Sequence, residues 1–175
     1  MDPAKHHYRR VMEWLYVGCV ALSGSALVLI TLMIPTGVFF RYALNAPLSW
    51  PEPASVVMMV LFSFLGGAAV YRANGHIAVE ALVNAVKPGV RRAMRAGILL
   101  CMAAMALFML YDGGRLCLAT QFQTMAEFPV LSQGIVYLPI PIAGLLTLLF
   151  IVEKVWIGEP PPTSVMFHDQ AAELE

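Results

Sequence analysis

Four long stretches of this 175-residue chain carry no formal charge and no histidine: Leu15–Phe40, Ala54–Tyr71, Ala96–Tyr111 and Gly134–Val152. Ionisable groups inside a membrane mark proton relays, ion paths and counter-ions, so within these runs such chemistry has nothing to work with. The acids nearest to them, Glu13, Glu52, Asp112 and Glu153, stand at their ends. His6, His7, His76 and His168 also lie outside the runs, which argues against a membrane haem held between facing helices. No nucleophile is set beside a base and an orienting group at spanning depth, so an intramembrane hydrolase is not expected either. The three cysteines, Cys19, Cys101 and Cys117, have neither metal nor redox spacing. A formal net charge of zero gives no footprint for nucleic acid. The expectation is a protein that is not an enzyme and needs no cofactor.

What the chain does have is apolar length. The runs span about 16 to 26 residues, and ~1.5 Å of rise per residue makes that ~24–39 Å of helix, enough to cross a ~30 Å hydrocarbon layer. With 59% hydrophobic residues, 13% charged residues and a mean hydropathy of +0.73, the chain lies far from soluble composition. The predicted fold is an all-α integral membrane protein with four transmembrane helices, at about 14–40, 53–72, 96–115 and 134–156, within a membrane domain of residues 1–158. The first run is too long for a signal peptide's apolar core, and Pro35-Thr36-Gly37 is no cleavage site. Basic residues then orient the chain. Lys5, Arg9 and Arg10 precede the first run, Arg41 alone follows it, and Arg72, Lys87, Arg91, Arg92 and Arg95 lie between the second and third. By the positive-inside rule, the N-terminus, the central loop and the C-terminus face the cytoplasm.

The first outer connection, residues 39–53, mixes interfacial aromatics with turn residues. Tyr42 and Trp50 suit the headgroup layer. Asn45-Ala46-Pro47 should break helix, and Ser49 is placed to cap a helix that starts at Pro51 and carries Glu52 in its first turn. Glu52 reads either as part of this helix start or as a contact for a partner subunit. In the central loop, Val79, Leu82, Val83, Val86 and Val90 recur at helical spacing opposite Glu80, Asn84, Lys87 and Arg91. An interfacial amphipathic helix over about 77–92 on the cytoplasmic leaflet follows. Arg91, Arg92 and Arg95 then lead into the third span and can reach phospholipid headgroups. Anchoring to lipid and docking of another protein are both compatible with that pattern.

Asp112 and Arg115, three residues apart, can pair at the outer boundary, where Gly113-Gly114 permits close packing. Pro139 and Pro141 should kink the fourth span near its outer end, and Pro160, Pro161 and Pro162 should stop it. Residues 159–175 read as a mobile cytoplasmic tail. Small residues spaced by four, Ala21 with Ser25 and Ser63 with Gly67, offer helix-packing surfaces. Together these features suit an accessory or scaffold subunit better than a self-sufficient transporter. A stand-alone homo-oligomeric four-helix channel or exporter is the alternative.

Two loop sequences add to this reading. Phe-Phe-Arg-Tyr-Ala-Leu-Asn-Ala-Pro-Leu-Ser-Trp-Pro-Glu follows the first span, and Tyr-Arg-Ala-Asn-Gly-His-Ile-Ala-Val-Glu, residues 71–80, follows the second. With Leu131-Ser132 and Tyr137-Leu138-Pro139-Ile140-Pro141 before the fourth, the chain resembles the small membrane subunit (Q-type) of tripartite ATP-independent periplasmic (TRAP) transporters. The resemblance implies a bacterial inner-membrane complex. In it a large multi-span subunit carries an organic acid with sodium, a periplasmic binding protein delivers the substrate, and the small subunit supports the large one. It makes Arg41, Asn45, Trp50, Glu52, Arg72, Gly75 and His76 structural or interface candidates, beside Gly67, Arg91, Arg92 and Arg95 from the residue pattern. Relatives usually carry a second acid after the position of Glu52; Pro53 stands there here, so a role resting on an acidic pair does not carry over.

Overall fold

A computed structural model of the chain describes residues 3–73, 87–125 and 127–158. They form five helices: α1 (Pro3–Tyr42), α2 (Pro51–Arg72), α3 (Pro88–Thr120), α4 (Gln133–Tyr137) and α5 (Pro139–Trp156). Four stretches are long and apolar enough to cross a membrane: His7–Tyr42, Pro51–Arg72, Gly89–Thr120 and Gln133–Trp156, the last made of α4 and α5 together. The protein is an all-helical, multi-pass membrane protein. The segment assigned to an amphipathic helix, apart from residues 87–92, and the tail after Gly158 lie outside the described residues.

Local chemistry sets the helix ends. At the end of α1, Asn45 adopts the left-handed conformation (φ 50°) and the Ala46 amide donates back to the Phe40 carbonyl at 3.1 Å, closing the last turn. Pro51 begins α2 with its φ already helical, but the expected Ser49 cap does not form: Trp50 holds the N-cap position, and no side chain caps the helix. Pro53, at the third helical position, has no N–H, which removes one of the two amides a capping side chain would accept from. Ser132 does cap α4, accepting from the Gly134 amide at 3.2 Å. Pro139, lacking an amide proton, separates α4 from α5 at Leu138. The fourth span ends at Trp156, before the proline run; Gly158, with φ 98°, takes the chain out of the helix in a conformation glycine adopts without strain.

Helix α1 packs on α2, α2 on α5 and α5 on α3, with α1 also touching α5, and among the described residues α3 meets neither α1 nor α2. Spans two and four therefore lie next to each other and run in the same direction. Buried residues lie mainly along the α1–α2–α5 seam: Tyr16, Cys19, Leu65, Ala68, Ala69, Ala143, Leu146, Phe150 and Ile151. Glycines permit the closest approaches. A Cβ at Gly144 would stand 2.8 Å from both the Ala106 carbonyl oxygen and the Leu110 nitrogen, and one at Gly134 would stand 2.6 Å from the Cys117 carbonyl. Gly113 is likewise filled by Ile140, 2.9 Å from its missing Cβ. Gly67, from the expected small-residue pair with Ser63, points into open space, whereas its neighbour Gly66 lies against Ser23 of α1.

These contacts also fix two levels across the bundle, labelled inner and outer after the orientation that the basic residues predict. Tyr16 is level with Arg72 and Gly37 with Pro51, while Arg72 is level with Glu153. Through the Gly113, Gly134 and Gly144 contacts, Glu153 is level with about Leu100 of α3, and the start of α4 with Thr120. The 22 residues of α2 set these inner and outer levels ~32 Å apart at ~1.5 Å per residue, close to the ~30 Å of a hydrocarbon layer.

Candidate functional site

At the inner level the bundle is fastened by ions. Arg72, the last residue of α2 and only 4% exposed, grips Glu153 of α5 with two parallel bonds. Its Nε donates to Oε2 at 2.8 Å and its Nη2 to Oε1 at 2.9 Å. The third guanidinium nitrogen, Nη1, donates to Glu13 Oε2 of α1 at 2.7 Å. The guanidinium carbon lies 5.2 Å from the centroid of the Tyr16 ring and 5.6 Å from that of Phe150, within cation–π range. One arginine thus joins three helices that are distant in the chain. Nearby, the Tyr8 hydroxyl donates to the Leu149 carbonyl at 3.1 Å, and its ring meets Trp156 edge-on at 5.9 Å. All three nitrogens of Arg72 are engaged within the protein, so the cluster acts as a fastening rather than a receptor for an anion.

Arg72 was a sequence candidate; Glu13 and Glu153 were not. A signal for Glu153 existed: Ala143, Leu146, Thr147, Phe150 and Glu153 recur at helical spacing, and all are buried. A carboxylate in register with the most buried stripe of a span calls for a cation beside it.

The outer end is looser. Arg41 Nη2 donates to Glu52 Oε1 at 2.6 Å, with side chains 48% and 74% exposed, so this pair bridges α1 and α2 at the rim without being buried. Trp50 is exposed beside it. Gly67 is an exposed gap on α2, and Arg92 and Arg95 are exposed in the first turns of α3, with Arg91 half-buried. Gly75 and His76 lie outside the described residues.

Helix α3 continues past Asp112 and Arg115 to Thr120, so both groups stand within the helix rather than at its end. Asp112 lies ~18 Å along α3 from Leu100, and ~12 Å short of Thr120, at ~1.5 Å per residue. The uncharged run ended at Tyr111, but the glycine contacts with α4 and α5, not the run, decide where α3 sits. The two groups are loosely paired at 3.9 Å, with side chains 44% and 70% exposed, and the Arg115 guanidinium lies 5.7 Å from the centroid of the Tyr111 ring.

The sequence pattern of the DctQ component of tripartite ATP-independent periplasmic transporters matches residues 30–158, from the outer half of α1 through the end of α5. The chain belongs to this family. A Haemophilus influenzae protein named as a TRAP transporter small permease protein is 25% identical over 154 residues, covering 88% of this chain and 91% of that one. Family membership makes the protein a component of a TRAP transporter. The match takes in the Arg41–Glu52 rim, Arg72 with Glu153, and the Asp112/Arg115 pair; Glu13 precedes it.

Proposed function

We propose that this chain is the small accessory subunit of a sodium-coupled TRAP importer of an organic acid, and that it supports a large multi-span subunit without contributing a coupling site. The observation that carries this reading is how the helices and their ions are used. Apolar side chains fill the seam of α1, α2 and α5, Arg72, Glu153 and Glu13 are used up in fastening it, and α3, the least buried span, packs among the described residues only on α4 and α5. Sodium and the organic acid come from the family resemblance, as does a periplasmic binding protein that delivers the substrate. The complex resides in the bacterial inner membrane with both termini of this chain in the cytoplasm, supported by the excess of Lys and Arg before the first span and between the second and third. Phospholipid headgroups engage Arg91, Arg92 and Arg95 at the inner leaflet.

Co-purification in mild detergent tests the assignment. The tagged chain should retain a large polytopic subunit, and sodium-driven uptake in reconstituted vesicles should require both proteins. Conduction or export by the purified chain alone would replace this reading with that of a self-sufficient homo-oligomer.

A further inference from the structure

Three of the four spans agree on an uncharged layer between the level of Tyr16, Arg72 and Glu153 and the level of Gly37, Pro51 and Ser132. Only α3 departs from it, with Asp112 and Arg115 in its outer half. Both side chains point away from α5, since Gly113 between them occupies the contact with Ile140 and Pro141. The same outward face carries Met105, Phe108, Tyr111 and Leu118, each more than half exposed. An arginine at this depth can extend toward the headgroups, but an aspartate side chain is too short to cover the ~12 Å of helix to Thr120. Charged groups at such depth almost always face protein or a water-filled cavity. Among the described residues, neither Asp112 nor Arg115 makes a hydrogen bond; they pair only with each other, loosely at 3.9 Å, with Arg115 also over the Tyr111 ring.

We infer that this face of α3 is the surface that docks on the large membrane subunit, against a helix that offers a cation to Asp112 and a carboxylate or carbonyl to Arg115. The inference rests on the function proposed above and adds which face is used and what chemistry meets it. The commitment to the large subunit follows from charge complementarity. Lipid tails offer no partner for a carboxylate at this depth, whereas a neighbouring span can supply both signs at neighbouring levels. Phe108 and Leu118 would flank this polar contact on either side along the helix.

Photo-crosslinking residues at Phe108 and Leu118, in the co-expressed complex in native membranes, should capture the large subunit, with adducts identified by mass spectrometry. Charge reversal by Asp112→Lys should lower the amount of large subunit retained by roughly tenfold, as expected for opposing a buried interfacial charge. The isolated variant should keep the helical content and melting temperature of the wild-type chain, because the pair is exposed and loose there. Asp112→Asn, with the same readouts, guards against misfolding and should give a smaller loss of retained partner. If the large subunit co-purifies while both probes capture only lipid or a second copy of this chain, the docking face is refuted and the proposed function stands. If no large subunit is retained by the wild-type chain, both fall.

Discussion

Replacing Glu153 by Gln keeps the size of the side chain and removes its charge, leaving the Arg72 guanidinium with Glu13 as its one remaining carboxylate among the described residues. Arg72 is 4% exposed and Glu153 2%, so little water can compensate. Breaking a buried pair from one side costs about 3–5 kcal/mol, because the remaining charge stays desolvated. The amide oxygen can still accept one of the two bonds, and Glu13 remains, so the expected loss is near ~3 kcal/mol. Glu13→Gln offers an internal comparison: its carboxylate is 43% exposed, and its loss should cost only ~1 kcal/mol. The assay is unfolding of the isolated subunit in mild detergent, by a denaturing-detergent titration followed by tryptophan fluorescence, for which Trp156 beside Tyr8 is a local reporter. A paired replacement, Arg72→Met with Glu153→Met, should recover most of the loss, since it leaves no lone charge in the seam. A buried fastening at Glu153 is refuted if Glu153→Gln costs no more than Glu13→Gln, or if the paired replacement is less stable than Glu153→Gln alone.

Gly144→Val should destabilise the isolated subunit by about 1–3 kcal/mol, since its Cβ would meet backbone atoms of α3 at 2.8 Å; thermal unfolding reads this directly, and an unchanged midpoint would refute the close approach. Gly67→Leu, facing open space, should leave the same midpoint unmoved while reducing recovery of the assembled complex. Arg41→Gln and Glu52→Gln should each change stability by less than ~1 kcal/mol, as expected for an exposed pair, and uptake per assembled complex should remain near normal. If Glu52→Gln instead abolished sodium-dependent uptake with assembly intact, Glu52 would belong to the transport path. In a variant without the native cysteines, an impermeant thiol reagent should reach Asn45→Cys from the periplasmic side and Lys87→Cys only after the membrane is opened; labelling of both from one side would contradict the orientation.

The four spans were legible because each leaves a charge-free run long enough to cross a bilayer, a signal carried by neighbouring residues alone. The rim pair was equally close at hand, Arg41 and Glu52 being eleven residues apart on either side of one short connection. The inner cluster was not, because Arg72 and Glu153 are separated by 81 positions and no local pattern states that spans two and four are neighbours. Treating Glu153 as the end of a run also hid its place on the buried stripe of α5. The level of Asp112 against its neighbours was hidden for a related reason: an uncharged run marks where charges begin, whereas the level of a residue depends on how its helix is seated against others. That seating comes from Gly113, Gly134 and Gly144, whose missing side chains leave no hydropathy signal. The Ser49 cap failed on competition at a single position, where the proline start of α2 leaves Trp50 at the cap.

The parallel alignment of α2 and α5 has an electrostatic consequence at their shared inner end. Each helix directs its peptide dipoles so that partial negative charge gathers at its C-terminus, equivalent to roughly half an elementary charge. Here two such ends converge, and Arg72 occupies the last turn of one and Lys154 that of the other. Antiparallel neighbours would have cancelled this field; these two reinforce it. The guanidinium therefore meets two carboxylates within the field of two helix C-termini, an environment that favours a permanent cation and makes a neutral residue at position 72 a poor substitute unless Glu153 is neutralised with it.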